Sequence, residues 1–325
     1  MKPIIKWVGG KQGNLQQIRD RLPKSFNTYY EPFLGGAAVL FDLNPTNAVV
    51  NDINPELINM YLQVKDHVEA VIAELATLDN THEVSDDPKE FYYSVREKFN
   101  TNLGVSDSDQ AARFIYLNKH CFNGLYRVNK KGQFNVPFNG KLSGWSADPD
   151  HLREVSTRLK DVDIRCGDYI DAVKDAKEFD LVFFDSPYAP ITATSFTDYT
   201  KEGFDYEDHV TLAALFRVLT NRGCFCMLTN HDTPLIRELY KDFRIEVVDV
   251  RRSINRKGDG RTGKEVIITN YNPTKETFEP QIIDVHDDTE LSTLHQEFFN
   301  SVGLPQSFLV KEICKYGLVR CSTHI

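Results

Sequence analysis

Apolar and polar positions alternate in two different rhythms along the chain. Residues 29–43 read as a strand, a glycine turn and a helix. Residues 47–52 form a short apolar run ending in an acid, and Pro55 then opens a helix, because proline suits the first helical turn. From 61 to 120 apolar residues recur at helical spacing between polar loops. Strand-like runs return at 163–166, 181–184, 224–229, 245–250 and 265–269, with room for helices between several of them. Strands alternating with helices predict an α/β fold: a doubly wound, mostly parallel Rossmann-like sheet. The helical stretch interrupts that alternation, and residues 121–145, with a Lys-Lys-Gly turn, have loop and hairpin character. The expected organisation is therefore a catalytic domain from 1–55 and 160–272, a helical and hairpin insert at 56–159, and an extension at 273–325. The extension is acidic and loop-like, then carries an apolar stripe of Leu291, Leu294, Phe298 and Val302.

Composition narrows this picture in three ways. The 325 residues suffice for a real core. No apolar run has transmembrane length and no signal-peptide core is visible, so a cytoplasmic location is expected. The six cysteines, Cys121, Cys166, Cys224, Cys226, Cys314 and Cys321, lack zinc-ligand spacing, and no metal is expected. Net charge is −9, yet it is segregated: acid gathers at 83–90 and 284–290, and base at Lys130, Lys131, Lys141 and across 251–264. Two basic patches thus survive the acidic average, and nucleic acid remains a candidate partner.

Five constellations carry candidate chemistry. Glu31-Pro32-Phe33-Leu34-Gly35-Gly36-Ala37 joins a strand to a helix through glycines, as α/β sheets do where they admit a nucleoside at the carboxyl ends of their strands. It is neither a dinucleotide fingerprint nor a phosphate loop, and it also reads as a plain glycine turn. Asn51-Asp52 ends the next strand, where an acid can accept ribose hydroxyls or merely cap a helix. Leu181-Val182-Phe183-Phe184-Asp185-Ser186-Pro187-Tyr188 is a buried strand leaving through an acid, a proline and an aromatic. An exocyclic base amine is a poor nucleophile because its lone pair is delocalised. A carboxylate and a backbone carbonyl that accept its two N–H groups return electron density to nitrogen, and an aromatic face can hold a flipped base. The same run is also an ordinary strand-to-turn exit. Ile5-Lys6-Trp7-Val8-Gly9-Gly10-Lys11 is either a mobile arm or an aromatic, basic lid over a nucleoside pocket. Phe122-Asn123-Gly124-Leu125-Tyr126-Arg127 and Phe134-Asn135-Val136-Pro137-Phe138 interleave aromatics with Asn and Arg, as a duplex reader does, or as a surface hairpin does.

Taken in order, these motifs resemble the Dam-type, alpha-group (D12 class) N6-adenine DNA methyltransferases over residues 2–271. Thr229-Asn230-His231-Asp232 and Val250-Arg251-Arg252-Ser253-Ile254 resemble the family's C-terminal part. The resemblance implies methyl transfer from S-adenosylmethionine to adenine N6 in double-stranded DNA, within GATC, by base flipping and direct transfer. It implies that Trp7, Lys11, Glu31, Phe33, Gly35, Asp52, Asp168, Tyr169 and Asp185 hold the cofactor. Asp185, Ser186, Pro187 and Tyr188 would be the catalytic motif around the target adenine. Lys6, Asn123, Leu125, Arg127 and Pro137 would read bases, Phe122 would enter the duplex, and Lys130 and Lys131 would meet phosphates. The implied partner is double-stranded DNA, with no membrane and a cytoplasmic, nucleoid-associated location; whether the enzyme also has a cognate restriction endonuclease as functional partner or acts as an orphan stays open. One departure stands out: the family's Asp-Pro-Pro-Tyr is here Asp185-Ser186-Pro187-Tyr188, which keeps the carbonyl but loosens φ. Two other readings stay open: cytosine N4 methylation, and a DNA-binding protein whose catalysis is weakened through Ser186.

Overall fold

The computed structural model describes residues 1–191, 204–251 and 262–273. The basic run 252–261, the resemblance at 252–254, the acids at 284–290, the stripe of Leu291, Leu294, Phe298 and Val302, and Cys314 and Cys321 lie outside the described residues. The chain forms two compact units: residues 1–21 with 28–174, and residues 22–27 with those from Asp175 onward. The helical block therefore shares a unit with the first three strands.

In the first unit β1 (Tyr29–Glu31), β2 (Ala48–Asp52) and β3 (Val162–Cys166) run parallel with β2 in the middle, in the register Tyr30↔Val49 and Val50↔Ile164. Its helices are α1 (Leu15–Arg19), α2 (Ala38–Leu43), α3 (Pro55–Asp66), α4 (Val68–Val84), α5 (Pro88–Thr101), α6 (Ser108–His120), α7 (Pro149–Leu159) and α8 (Tyr169–Ala172). Three of them start with one local device. Asn54, Asp87 and Asp148 each accept a first-turn N–H, and each precedes a proline that needs no such bond. Once started, α3 buries Leu57, Ile58, Met60, Tyr61 and Val64.

The expected hairpin after α6 is not a ladder. A 3-10 turn, Phe122–Gly124, is followed by only two isolated antiparallel bridges, Cys121↔Phe138 and Val128↔Phe134. Asn123 and Gly124 both take left-handed φ (58° and 67°), which turns the chain. Pro137 has no N–H with which to extend pairing.

The second unit holds β4 (Leu181–Phe184), α9 (Tyr206–Asn221), β5 (Phe225–His231), α10 (Pro234–Leu239), β6 (Arg244–Arg251) and β7 (Thr262–Thr269). β4 and β5 are parallel; β7 lies between β5 and β6, antiparallel to both. Across the seven strands three described pairings are parallel and two antiparallel, so the α/β, mostly parallel expectation holds. β4 is wholly buried, and α9 buries Leu212, Leu215, Phe216 and Leu219. Cys224 precedes β5 rather than lying within it. Both it and Cys226 are buried, and burial pushes the Cys224 thiol up to about 12, so it behaves as a small core residue. No helix among the described residues is long and apolar enough to cross a membrane.

Candidate functional site

In the first unit the carboxyl ends of β1, β2 and β3 are tied together by two adjacent side chains. Asn51 donates to the carbonyls of Pro32 (3.1 Å) and Gly167 (3.0 Å). The Asp52 carboxylate accepts the N–H of Gly35 (2.9 Å) and of Asn54 (3.0 Å). Asn54, not Asp52, caps α3, so the helix-cap reading of Asp52 is set aside. Burial pushes the Asp52 carboxyl upward, and the N–H groups of Gly35 and Asn54 oppose that shift. Glu31 is buried at the end of β1 and accepts the Tyr29 hydroxyl at 3.0 Å. Phe33 stacks on Tyr169 with ring centroids 5.0 Å apart, and Asp168 caps α8 through the N–H of Ile170 at 2.7 Å.

The N-terminal arm is docked on this unit. Ile5 is buried, and the backbone of Lys6 exchanges two hydrogen bonds with the Asn118 side chain (2.9 and 2.8 Å). Trp7 stacks on Tyr126 at 5.3 Å and 24°. Its indole lies where a side chain at Gly35 would be: a Cβ there would meet Trp7 Cδ1 at 2.7 Å and Nε1 at 3.0 Å. Lys11 is buried and its ammonium donates to the Gly9 carbonyl at 2.8 Å. The mobile-arm reading is thereby replaced. Indole, stacked rings, buried Glu31 and part-buried Asp52 make a mixed apolar and acidic set on one unit, which suits a cationic nucleoside.

The segment that begins at Phe122 meets the same arm. A Cβ at Gly124 would fall 2.7 Å from Lys6 Cδ, so the lysine stem lies directly across that glycine. Asn118 also donates to the Gly124 carbonyl at 3.2 Å. Phe122 is 51% exposed although its N–H is fixed to the Pro137 carbonyl at 2.8 Å. Asn123 and Pro137 are exposed, and Leu125 is half-buried. Arg127 is exposed and donates through Nε (2.7 Å) and Nη2 (3.3 Å) to the side chain and carbonyl of Asn135, which orients its guanidinium. Lys130 and Lys131 are exposed at a tip closed by Asn129, whose side chain accepts the N–H of Lys131 (2.9 Å) and of Gln133 (3.1 Å).

The segment Asp185-Ser186-Pro187-Tyr188 leaves β4 in the second unit. Asp185 accepts the Thr229 hydroxyl at 2.8 Å. Ser186 is buried, with its hydroxyl 3.4 Å from the Pro187 carbonyl, and Pro187 is exposed. Tyr188 donates to Glu265 at 3.0 Å and lies edge-to-face with His231 at 4.8 Å. Burial, then Asp185 and Glu265, push the Tyr188 hydroxyl well above its usual range, so it remains a donor. Asn230 and His231 lock the next residue: Asn230 Oδ1 accepts the Ala189 N–H at 2.9 Å, and His231 Nδ1 is 2.8 Å from the Ala189 carbonyl. Thr229, Asn230 and His231 carried a visible motif but no roles, whereas Tyr126, Asn118 and Glu265 were missed. Glu265 sits in an ordinary strand pattern, and no local signal marks it.

A glycine turn, an acid and a capped short helix at the ends of parallel strands define the nucleoside-binding half of an α/β enzyme. The chain belongs to the D12 class N6 adenine-specific DNA methyltransferases, whose family model matches residues 7–254. It is 42% identical over 278 residues to a type II methyltransferase of Lactococcus lactis subsp. cremoris, covering 83% of this chain and 96% of that one. A type II methyltransferase of Methanocaldococcus jannaschii is 43% identical over 289 residues, 83% of this chain and 99% of its own. A DNA adenine methylase of Escherichia coli is 33% identical over 277 residues, 84% and 96% of the two chains. The class uses S-adenosylmethionine as methyl donor, and adenine N6, not cytosine N4, is the acceptor.

Proposed function

We propose that the chain methylates adenine N6 within GATC in double-stranded DNA, by flipping the base and transferring the methyl group directly. The observation that carries the reading is the exit of β4. Asp185 is held by Thr229, with the Ser186 carbonyl next in the chain and Tyr188 fixed by Glu265 and His231. Asp185 and that carbonyl accept the two amine hydrogens of the target adenine, so its nitrogen lone pair is freed for attack. Tyr188 offers its ring to the flipped base, oriented before the substrate arrives. S-adenosylmethionine, when bound, supplies an electrophilic methyl group on sulfur. Trp7, Lys11, Glu31, Phe33, Gly35, Asp52, Asp168 and Tyr169 would hold it on the first unit, and Asp185 is a further cofactor contact implied by the family resemblance.

Residues 56–159 serve as the recognition domain. Lys6, Asn123, Leu125, Arg127 and Pro137 read base edges, Phe122 enters the duplex, and Lys130 and Lys131 meet phosphates. The GATC assignment rests on the motifs Asn123-Gly124-Leu125-Tyr126-Arg127 and Phe134-Asn135-Val136-Pro137-Phe138. A cognate restriction endonuclease recognising the same sequence is the proposed functional partner. The test treats unmethylated DNA with protein and S-adenosylmethionine, then digests it with nucleases that differ in sensitivity to adenine methylation at GATC. Protection from the sensitive nuclease alone is expected. Labelled methyl groups found outside GATC would refute the sequence assignment, and none in DNA at all would refute the reaction.

A further inference from the structure

α4 continues its buried stripe of Val71 and Leu75 with two polar residues, Asp79 and His82. Both grip one loop. The Asp79 carboxylate accepts the N–H of Ser146 at 2.8 Å and also its hydroxyl. His82 Nε2 lies 3.3 Å from the Lys141 carbonyl, while Nδ1 pairs with the Tyr116 hydroxyl at 2.7 Å. Earlier in the loop, Asn139 donates from its backbone to the His120 carbonyl (2.9 Å) and from its side chain to the Lys119 carbonyl (3.1 Å). Positions 139, 141 and 146 are thus pinned, the last two by the buried His82 and Asp79, which cost desolvation to install. Between the pins, Leu142 is 67% and Trp145 57% exposed. A tryptophan held largely in water on a loop anchored at both ends is a contact surface.

The loop continues directly from the 134–138 segment, whose Pro137 carbonyl is bonded to the Phe122 N–H. Lys119 and Lys141 are exposed beside it. The acids that follow are engaged: Asp148 caps α7 and Asp150 pairs with Arg153 at 2.9 Å. From Pro137 to Trp145 the chain can reach about 28 Å at most, or about eight base pairs of duplex.

We propose that the 142–145 loop is a second duplex contact, in which Trp145 packs against base pairs or sugars flanking the recognition sequence. The inference rests on the DNA-reading role proposed above for residues 122–137. The contact is mainly aromatic, because Glu83 and Asp86, just beyond His82 in the chain, offset the two lysines, so its salt dependence is small.

The test compares wild type, Trp145→Ala and Trp145→Phe on two duplexes sharing one central site. One ends about two base pairs past the site, and the other carries about ten on each side. Binding is read by fluorescence anisotropy, S-adenosylmethionine affinity by titration, and methylation of the short duplex separately. Wild type should prefer the long duplex. Trp145→Ala should lose roughly tenfold on it and nothing on the short one, and Trp145→Phe should recover most of that loss, with the salt slope unchanged. Equal binding of wild type and Trp145→Ala to both duplexes overturns the proposal. So does a wild-type dimer, without DNA, that Trp145→Ala converts to monomer, because the loop is then a contact between copies. Methylation of the short duplex by wild type, together with no Trp145 effect on binding of the long one, removes this inference alone, whereas absence of methylation by wild type removes the reading beneath it.

Discussion

Gly35→Ala tests whether the N-terminal arm and the glycine turn act as one piece. Two separate costs follow from the geometry. At φ +48° an alanine pays the left-handed penalty, about 1 kcal/mol. Its Cβ would also lie 2.7 Å from Trp7 Cδ1, where carbon pairs normally rest at about 3.5–4.0 Å, so the indole must retreat by about 1 Å. That shift disturbs the stack of Trp7 on Tyr126, about 0.5–1.5 kcal/mol, and adds overpacking of about 1 kcal/mol or more. The expected loss is about 2–4 kcal/mol, shared between stability and cofactor affinity. If Trp7 swings away, S-adenosylmethionine should bind at least about tenfold more weakly. Denaturant melts and calorimetric titration measure both parts. A double-mutant cycle isolates the contact: in a Trp7→Ala background, Gly35→Ala should cost only the conformational part, about 1 kcal/mol. The same cost in both backgrounds would refute the packing argument.

Asp185→Ala should leave the melting transition in place and lower single-turnover methylation by about 10²–10³; a rate within a few fold of wild type would sink its assigned role. Arg127→Ala should relax sequence choice by about 1–3 kcal/mol, while Lys130→Ala with Lys131→Ala should weaken all duplexes and flatten the salt dependence; competition between GATC and near-cognate duplexes decides, and uniform weakening by Arg127→Ala would make it a phosphate contact. Burial lowers His209 to about 4, so the folded chain keeps it neutral while the unfolded chain takes up a proton below pH 6.5. Its share of stability is therefore complete above pH 6.5 and is lost by up to about 3 kcal/mol as pH falls to 4; a His209→Phe chain whose melts keep the same acid slope would exclude this source. Ser186→Pro should keep or raise the methylation rate, since it fixes φ and retains the carbonyl; a large loss would assign a role to the serine hydroxyl or N–H.

β2 and β4 were readable because each is a short apolar run closed by an acid, and β4 matched residue for residue. Helix starts were readable where Asx-Pro pairs occur, as at Asn54-Pro55. The segment after α6 was not, because a turn of left-handed residues and a proline block a ladder that its alternation suggests. The arm shows the same limit. Its composition fits a loose tail or a lid equally well. What fixes it is Asn118, more than a hundred residues away, whose amide answers both the N–H and the carbonyl of Lys6.

The proposed catalytic motif illustrates why site chemistry is only half local. Asp185, Ser186, Pro187 and Tyr188 are contiguous, and their residue types alone point to an amine acceptor and a stacking ring. A carboxylate catalyses as an acceptor only if its direction is set before the substrate arrives, since reorientation during reaction costs what preorganisation saves. That direction comes from Thr229 on β5, and the tilt of the Tyr188 ring from Glu265 on β7 and His231. Tyr188 meets Glu265 as a true donor, because burial keeps its proton on. β5 and β7 are antiparallel with His231 opposite Glu265, so two partners of one ring sit at one register position. Loss of that pairing would leave all four motif residues in place and still disorder the ring. On the proposed mechanism, the antiparallel strand β7 therefore acts with the motif rather than apart from it.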